Sequence, residues 1–254
     1  MIVCKTESEL AAMRASGQLA AGILQRLAAA VVPGMTTREL DELARELIRA
    51  RGATSAFLGY RGAAGAVPFP GAICVSVNEE VIHGIPGPRR IAAGDLVSID
   101  VGVKFEGFIG DTATTVMVGA VSPEAERLVA ATQRALEAGV AAVRAGAHLS
   151  DVSNAVEQTV RMGGCSVVRE FVGHGVGREL HEEPQVPNYG KPGHGPVLKP
   201  GMTFCIEPMV NLGKAGVEIL LDKWTVVTCD RRLSAHFEHA VAVRADGVEV
   251  LTSA

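Results

Sequence analysis

Four carboxylates interrupt apolar, strand-like stretches of this 254-residue chain: Asp100 in LVSIDVGV, Asp111 in FIGDTATTVMV, Glu207 in MTFCIEPMV and Glu238 in AHFEHAVAV. Strand interiors are depleted in acids, and a carboxylate removed from water needs a partner or a metal. Leu96 to Val118 reads as two alternating strands joined by a turn at Glu106-Gly107. Val97, Ile99, Val101 and Val103 share one face of the first strand, and Ser98, Asp100 and Gly102 share the other. Alone, this hairpin leaves two readings open. One acid sits in a turn and the other on a solvated face, or both point inward around a cation. Four inward acids on one sheet would be balanced by two divalent ions. His174 and His181, in the Gly-punctuated stretch FVGHGVGRELHEE, and His83, in a Gly- and Pro-rich loop, are the nearby imidazoles by sequence. Carboxylates with one or two imidazoles suit paired Mn, Fe, Co or Zn.

Other chemistries find little support. The five cysteines (Cys4, Cys74, Cys165, Cys205 and Cys229) are scattered, with no CxxC, so a thiolate zinc site is not expected. His181-Glu182-Glu183-Pro184-Gln185 is not HExxH, because its fifth residue is Gln and Pro184 opposes the helix that motif needs. There is no GxSxG and no phosphate-binding GxxxxGK[ST].

The elements that must position these residues repeat. Thr6 or Ser8 caps a first helix to about Ala30, Pro33-Gly34 breaks it, and Thr36 with Glu39 forms a capping box for a second helix ending near Gly52. Ser122-Pro123 opens a third helix, Gly146 breaks it, and Ser150 opens a fourth that ends near Gly163-Gly164. Gly34 maps on Gly146, Leu40 on Val152, Ile48 on Val160 and Gly52 on Gly164 at one offset. The expectation is a single α+β domain over 1–254, with pseudo-symmetric halves at about 6–120 and 121–252. Its helix pairs cover one face of an antiparallel sheet. Between the halves' first elements, Ile73 to Val77 reads as a short strand and Asn78 to Gly87 as an irregular loop.

Apolar residues make up 48% of the chain, and the net charge is −4 without a block of like charge. Nothing there points to nucleic acid or an anionic membrane. No apolar run is long enough to span a bilayer. The polar N-terminus and scattered cysteines place the protein in the cytoplasm with reduced thiols.

The motifs occur in a specific order: Asn78…His83-Gly-Ile-Pro, Asp100, Gly110-Asp111-Thr112, Gly173-His174-Gly175, His181-Glu182-Glu183-Pro184, Phe204-Cys-Ile-Glu207-Pro208 and Ser234-Ala-His-Phe-Glu238-His239. This set resembles the pita-bread metallopeptidases, and closely the type I methionine aminopeptidases, from about residue 5 to 252. The short step from His174 to Glu207 leaves no room for the helical insertion of type II enzymes.

The resemblance implies the following roles. Asp100 holds the second metal, Asp111 and Glu238 bridge the pair, and His174 and Glu207 complete the first metal. Glu207 serves as general base for a metal-bridging hydroxide, His181 stabilises the oxyanion, and His83 assists the leaving amine. A small pocket for the methionine side chain takes its walls from Phe69, Cys74, His83 and Trp224, with His181 beside it and Tyr60 at the rim. A monovalent cation near Asn78, Glu80 and Ser234 belongs to the same family pattern. Substrates would be nascent polypeptide N-termini with a small second residue, met by a monomer at or near the ribosome. Leu180 stands where many relatives are aromatic, and Arg61 to Pro68 looks about six residues longer than in the shortest relatives. His236 stands where many relatives have Gln. Two rivals remain: a pita-bread aminopeptidase of proline-directed specificity, and a binding protein of this fold that has lost its metals. The complete ligand set weighs against the second.

Overall fold

The computed structural model describes residues 1–62 and 67–253. Among the described residues, four helices and a set of short and long strands build an α+β architecture. Helix α1 (Glu7–Ala30) starts at a capping box between Thr6 and Glu9, and α2 (Thr37–Ala50) at one between Thr36 and Glu39. Helix α3 (Pro123–Ala142) is capped by the Ser122 hydroxyl, with Pro123 in its first turn. Helix α4 (Leu149–Met162) begins one residue earlier than the Ser150 expectation. The reason is Asp151, whose carboxylate accepts the His148 N–H and fixes the first turn around His148.

A nine-stranded antiparallel sheet carries the chemistry. Its main path runs through the strands Thr54–Ser55, Leu96–Phe105, Phe108–Met117, Glu238–Arg244, Thr203–Ile206, Gly173–Gly175 and Glu182–Val186. Cys74–Val77 and Gly247–Val250 pair at its sides. The turn between the two long strands is tight, with Glu106 and Gly107 both at positive φ. Three stretches differ from the sequence expectations. Asn78 to Gly87 contains a short strand, Glu80–Ile82, paired with Val226–Thr228. The Met202–Val210 run is split at Glu207-Pro208, since Pro208 has no N–H for the ladder. The Ala235–Val243 run is split at Phe237.

Alternation along each strand sorts the side chains. Val97, Ile99, Val101 and Val103 pack with Leu24, Leu27, Leu40 and Leu47 of α1 and α2. Phe204, Ile206, Val241 and Val243 pack with Leu128, Leu136, Val152 and Val156 of α3 and α4. All four helices therefore cover one face of the sheet, and the carboxylates are left on the other.

Helix α1 approaches the chain closely at Gly17, where an added Cβ would lie 2.3 Å from the Leu251 carbonyl oxygen. Ala is a better helix former than Gly by about 1 kcal/mol, but here the obstacle is backbone and cannot rotate away. Gly17→Ala is therefore expected to lower stability by roughly 1–3 kcal/mol. That corresponds to a melting temperature lower by at least about 2 °C. An unchanged or raised melting temperature would show that the α1–Leu251 contact is not tight.

Candidate metal centre

The register brings the acids together. Cys74 pairs with Asp100, Asp100 with Ala113, and Ala113 with Glu238, so one row crosses four strands. Asp111 lies two residues from Ala113 on the same face and pairs with Gly102. Gly102 makes room for the Phe57 ring, which an added Cβ would meet at 2.4 Å. On the Thr203–Ile206 strand the alternation that turns Phe204 and Ile206 to the helices turns Cys205, and then Glu207, to the acids. His174 arrives from the short Gly173–Gly175 strand, whose flanking residues must be glycine. A Cβ on Gly173 would lie 2.3 Å from the Cys205 carbonyl oxygen, and one on Gly175 2.2 Å from that of Glu183.

His174 Nε2 lies 3.5 Å from Glu207 Oε1 and 3.8 Å from Asp111 Oδ2. Its Nδ1 is 3.0 Å from the Gly175 carbonyl oxygen. A carbonyl only accepts, so the proton is on Nδ1 and the Nε2 lone pair faces the carboxylates, as a metal ligand requires. Asp100 Oδ1, Asp111 Oδ1 and Glu238 Oε1 are buried with no hydrogen-bond partner among the described residues. Ligand atoms of Asp111, His174, Cys205 and Glu238 all lie within 4.8 Å of one another. Buried, unpartnered oxygens of like charge around a bare imidazole nitrogen fit divalent cations.

Burial pushes Asp111 up to about 7. Burial, then the charge of Asp111, holds Asp100 and Glu207 well above the usual carboxylate range. Glu238 is raised in the same way, by burial and then Asp111. Burial lowers His174 to about 3, so it stays neutral. Metal must therefore displace protons from the carboxylates and none from His174. Apparent metal affinity is expected to rise between pH 6 and 8, by about tenfold per pH unit for each proton released. Calorimetry in two buffers of different ionisation heat reads the protons directly. Affinity independent of pH, without proton release, would contradict the raised carboxylates.

Beside the acids lies a cavity of about 640 Å³. The structure places Tyr60, Phe69, Cys74, His83, Asp100, Asp111, His174, His181, Glu207, Trp224 and Glu238 in its lining, together with Leu180. Trp224 stands edge-on to Phe69, ring centroids 5.2 Å apart, and its indole N–H donates to the Val67 carbonyl at 2.9 Å. His83 adopts positive φ and packs edge-on to Trp224 and Phe171. Burial lowers its pKa to about 4. His181 contacts His174, ring centroids 4.2 Å apart. The Arg61–Pro68 stretch falls partly outside the described residues, at 63–66.

Two features have no counterpart in the sequence reading, and a third, His236, stood out there only as a departure from its relatives. Cys205 Sγ joins the ligand cluster, and burial with the neighbouring Glu238 holds its thiol well above the usual range, as a protonated group. Its position two residues before Glu207 was the available signal. The buried Lys5 ammonium contacts Glu182 at 2.5 Å, next to His181, and Glu182 also accepts the Arg178 N–H. His236 is buried, with Nε2 4.0 Å from Glu207 Oε2. At the expected monovalent-cation position the Ser234 N–H donates to the Asn78 carbonyl, and Glu80 is engaged by Arg89 and the Val77 N–H.

Residues 11–245 match the description of metallopeptidase family M24. The chain belongs to that family. Among relatives of this M24 peptidase, methionine aminopeptidase 1 of Bacillus subtilis is 47% identical over 252 residues, covering 99% of each chain. The crystal structure of methionine aminopeptidase from Rickettsia prowazekii matches it with a TM-score of 0.96 at 41% identity, covering 100% of both chains. Prolidase from Pyrococcus furiosus matches with a TM-score of 0.77 at 20% identity, over 99% of this chain and 66% of its own, and so shares the fold alone. The M24 peptidase thus has the pita-bread architecture: a curved antiparallel sheet with its four helices on one face. Among its described residues no helix is long and apolar enough to cross a membrane.

Proposed function

We propose that this M24 peptidase is a methionine aminopeptidase, removing the first methionine from nascent chains with a small second residue. One observation carries the reading: the acid and histidine cluster opens into the same cavity as Phe69, Cys74, His83 and Trp224. An apolar pocket with an aromatic wall suits an unbranched thioether. The high identity to methionine aminopeptidases over the full chain supports it.

Asp100, Asp111, His174, Glu207 and Glu238 would hold two divalent ions, of Mn, Fe, Co or Zn by the hardness of the donors. When bound, such ions supply a nucleophile from water near neutral pH and polarise the scissile carbonyl. Glu207 accepts a proton at its carboxylate and passes it on as general acid–base. His181 donates a hydrogen bond to the carbonyl oxygen as negative charge builds there. His83, held neutral by burial and lining the cavity, would stand near the scissile nitrogen and steady the departing amine. The Asp100 end of the cluster receives the free α-amino group, so that only the first residue is presented for cleavage. The five cysteines are free, which accords with the cytoplasm, where nascent chains emerge.

The test is a peptide panel with the metal-loaded enzyme. Met-Gly-Met is cleaved, and Met-Leu-Met and Leu-Gly-Met are cleaved far more slowly. Cleavage of Xaa-Pro peptides instead would replace this reading by the proline-directed one. Trp224→Ala removes one wall of the pocket, so kcat/KM for Met-Gly-Met should fall by about tenfold or more, as losing part of an apolar pocket costs 1–3 kcal/mol. Preference for Met over Leu narrows with it. Unchanged selectivity would take Trp224 out of the pocket's function.

A further inference from the structure

Tyr60 does more than line the rim. Its hydroxyl oxygen lies 2.6 Å from Nδ1 of His181, across 121 residues of chain. The Tyr60 backbone is tied at both polar atoms: its N–H donates to the Phe57 carbonyl, and its carbonyl accepts the Phe69 N–H. The phenol therefore approaches His181 from a fixed base.

A neutral imidazole carries one proton, and the partner of one nitrogen decides what the other can do. If the phenol O–H donates to Nδ1, the ring proton is on Nε2. If Nδ1–H donates to the phenol oxygen, Nε2 is a bare lone pair. A bare nitrogen repels a carbonyl oxygen that is gaining negative charge, whereas an Nε2–H donates to it. The first arrangement also gives the phenol O–H an acceptor, and no other side-chain hydrogen bond of Tyr60 is present among the described residues. The neighbouring His174 is the counterpart. Its Nδ1 faces a carbonyl oxygen, which only accepts, so its Nε2 is the bare nitrogen. Two touching imidazoles are thus set to opposite tautomers by a carbonyl behind one and a phenol behind the other.

We propose that Tyr60 is a positioning residue for the reaction: its O–H fixes the rotation of His181 and holds the ring proton on Nε2, the nitrogen left to meet the scissile carbonyl. This rests on the reading of His181 given above. In Tyr60→Phe the aromatic wall is kept and only the hydroxyl is lost. On Met-Gly-Met, kcat is expected to fall roughly tenfold, short of the full loss of an oxyanion donor, with KM changed less than about twofold because the ring still fills its place. Nitrogen-15 spectra of ring-labelled, zinc-loaded protein give a second readout. The His181 signals, identified by their loss in His181→Gln, should show a bare Nδ1 and a protonated Nε2 in the wild type. Tyr60→Phe should show averaging between tautomers. A protonated Nδ1 in the wild type, or an unchanged kcat in Tyr60→Phe, would overturn the proposal. An enzyme inert on every Met peptide, yet with His181 in the Nε2–H form, would sink the aminopeptidase reading and leave the Tyr60–His181 assignment standing.

Discussion

Replacing Asp111 by Asn should abolish peptide cleavage, by at least about a thousandfold, while making the metal-free protein more heat-stable at pH 8. The amide keeps the shape but loses the charge and the second anionic oxygen, so it cannot serve two cations. The stability gain follows from linkage. Asp111 is raised from 3.8 to about 7 in the fold. A carboxylate raised in this way stabilises the protonated fold. That contribution is full below the unfolded pKa, is lost as pH rises from about 4 to about 7, and is absent above it. At pH 8 the wild type carries an ionised Asp111 beside three other buried acids, at a cost on the order of a few kcal/mol. Asn carries none of it. His83, His174 and His236, lowered to about 4, 3 and 3, oppose the trend below pH 6.5, where the unfolded chain takes up their protons. They do so in both proteins and largely cancel in the difference. Melting of chelated wild type and Asp111→Asn at pH 5 and pH 8 should show the variant's advantage growing with pH, by about 2–4 °C per kcal/mol. A variant that keeps full activity, or that is less stable than wild type at pH 8, would remove Asp111 from the centre of the cluster.

His181→Ala is the second large effect. It should lower kcat by roughly a hundredfold, the typical result of deleting one oxyanion donor. Metal affinity should be unchanged, because His181 contacts the proposed ligand His174 but is not one of the five proposed ligands. KM should move little, since the interaction strengthens only as the carbonyl becomes an oxyanion. Activity, calorimetric metal binding and melting measured on one preparation separate these effects. A loss of activity accompanied by an equal loss of metal would reassign His181 to the metal site.

What the sequence made legible follows a physical line. Period-two alternation over Leu96–Phe105 puts Asp100 on the face opposite Val97 to Val103, and the strand register adds that Asp111 shares that face. Capping chemistry marks the starts of α1 (with Thr6 rather than Ser8 as its cap), α2 and α3, because caps are local, whereas α2 and α3 end at Ala50 and Ala142, short of the breakers Gly52 and Gly146. Helix α4 starts before Ser150 because Asp151 reaches back to His148, a contact that the nearby Ser150 hydroxyl obscures in the sequence. Glu207 and Glu238 stood out as charges in apolar strands, although strand breaks at Pro208 and Phe237 were less visible. The pocket residues Phe69, His83 and Trp224 had no local signal and came from the family resemblance. Contacts between distant segments were not legible at all. Tyr60–His181 joins residues 121 apart, Lys5–Glu182 joins residues 177 apart, and no local pattern encodes either. Cys205 carries no thiolate-site signal, because such a site shows in sequence as spaced Cys pairs, whereas here one thiol sits among carboxylates.

The most direct test of the account is a metal titration of chelated protein with cleavage of Met-Gly-Met followed alongside. The chelated protein should be inactive, protons should be released as Mn or Co is added at pH 7, and activity should return in step with binding and vanish in Asp111→Asn. Cleavage that survives complete chelation, or metal binding that persists unchanged in Asp111→Asn, would contradict the assignment of these acids as the metal centre.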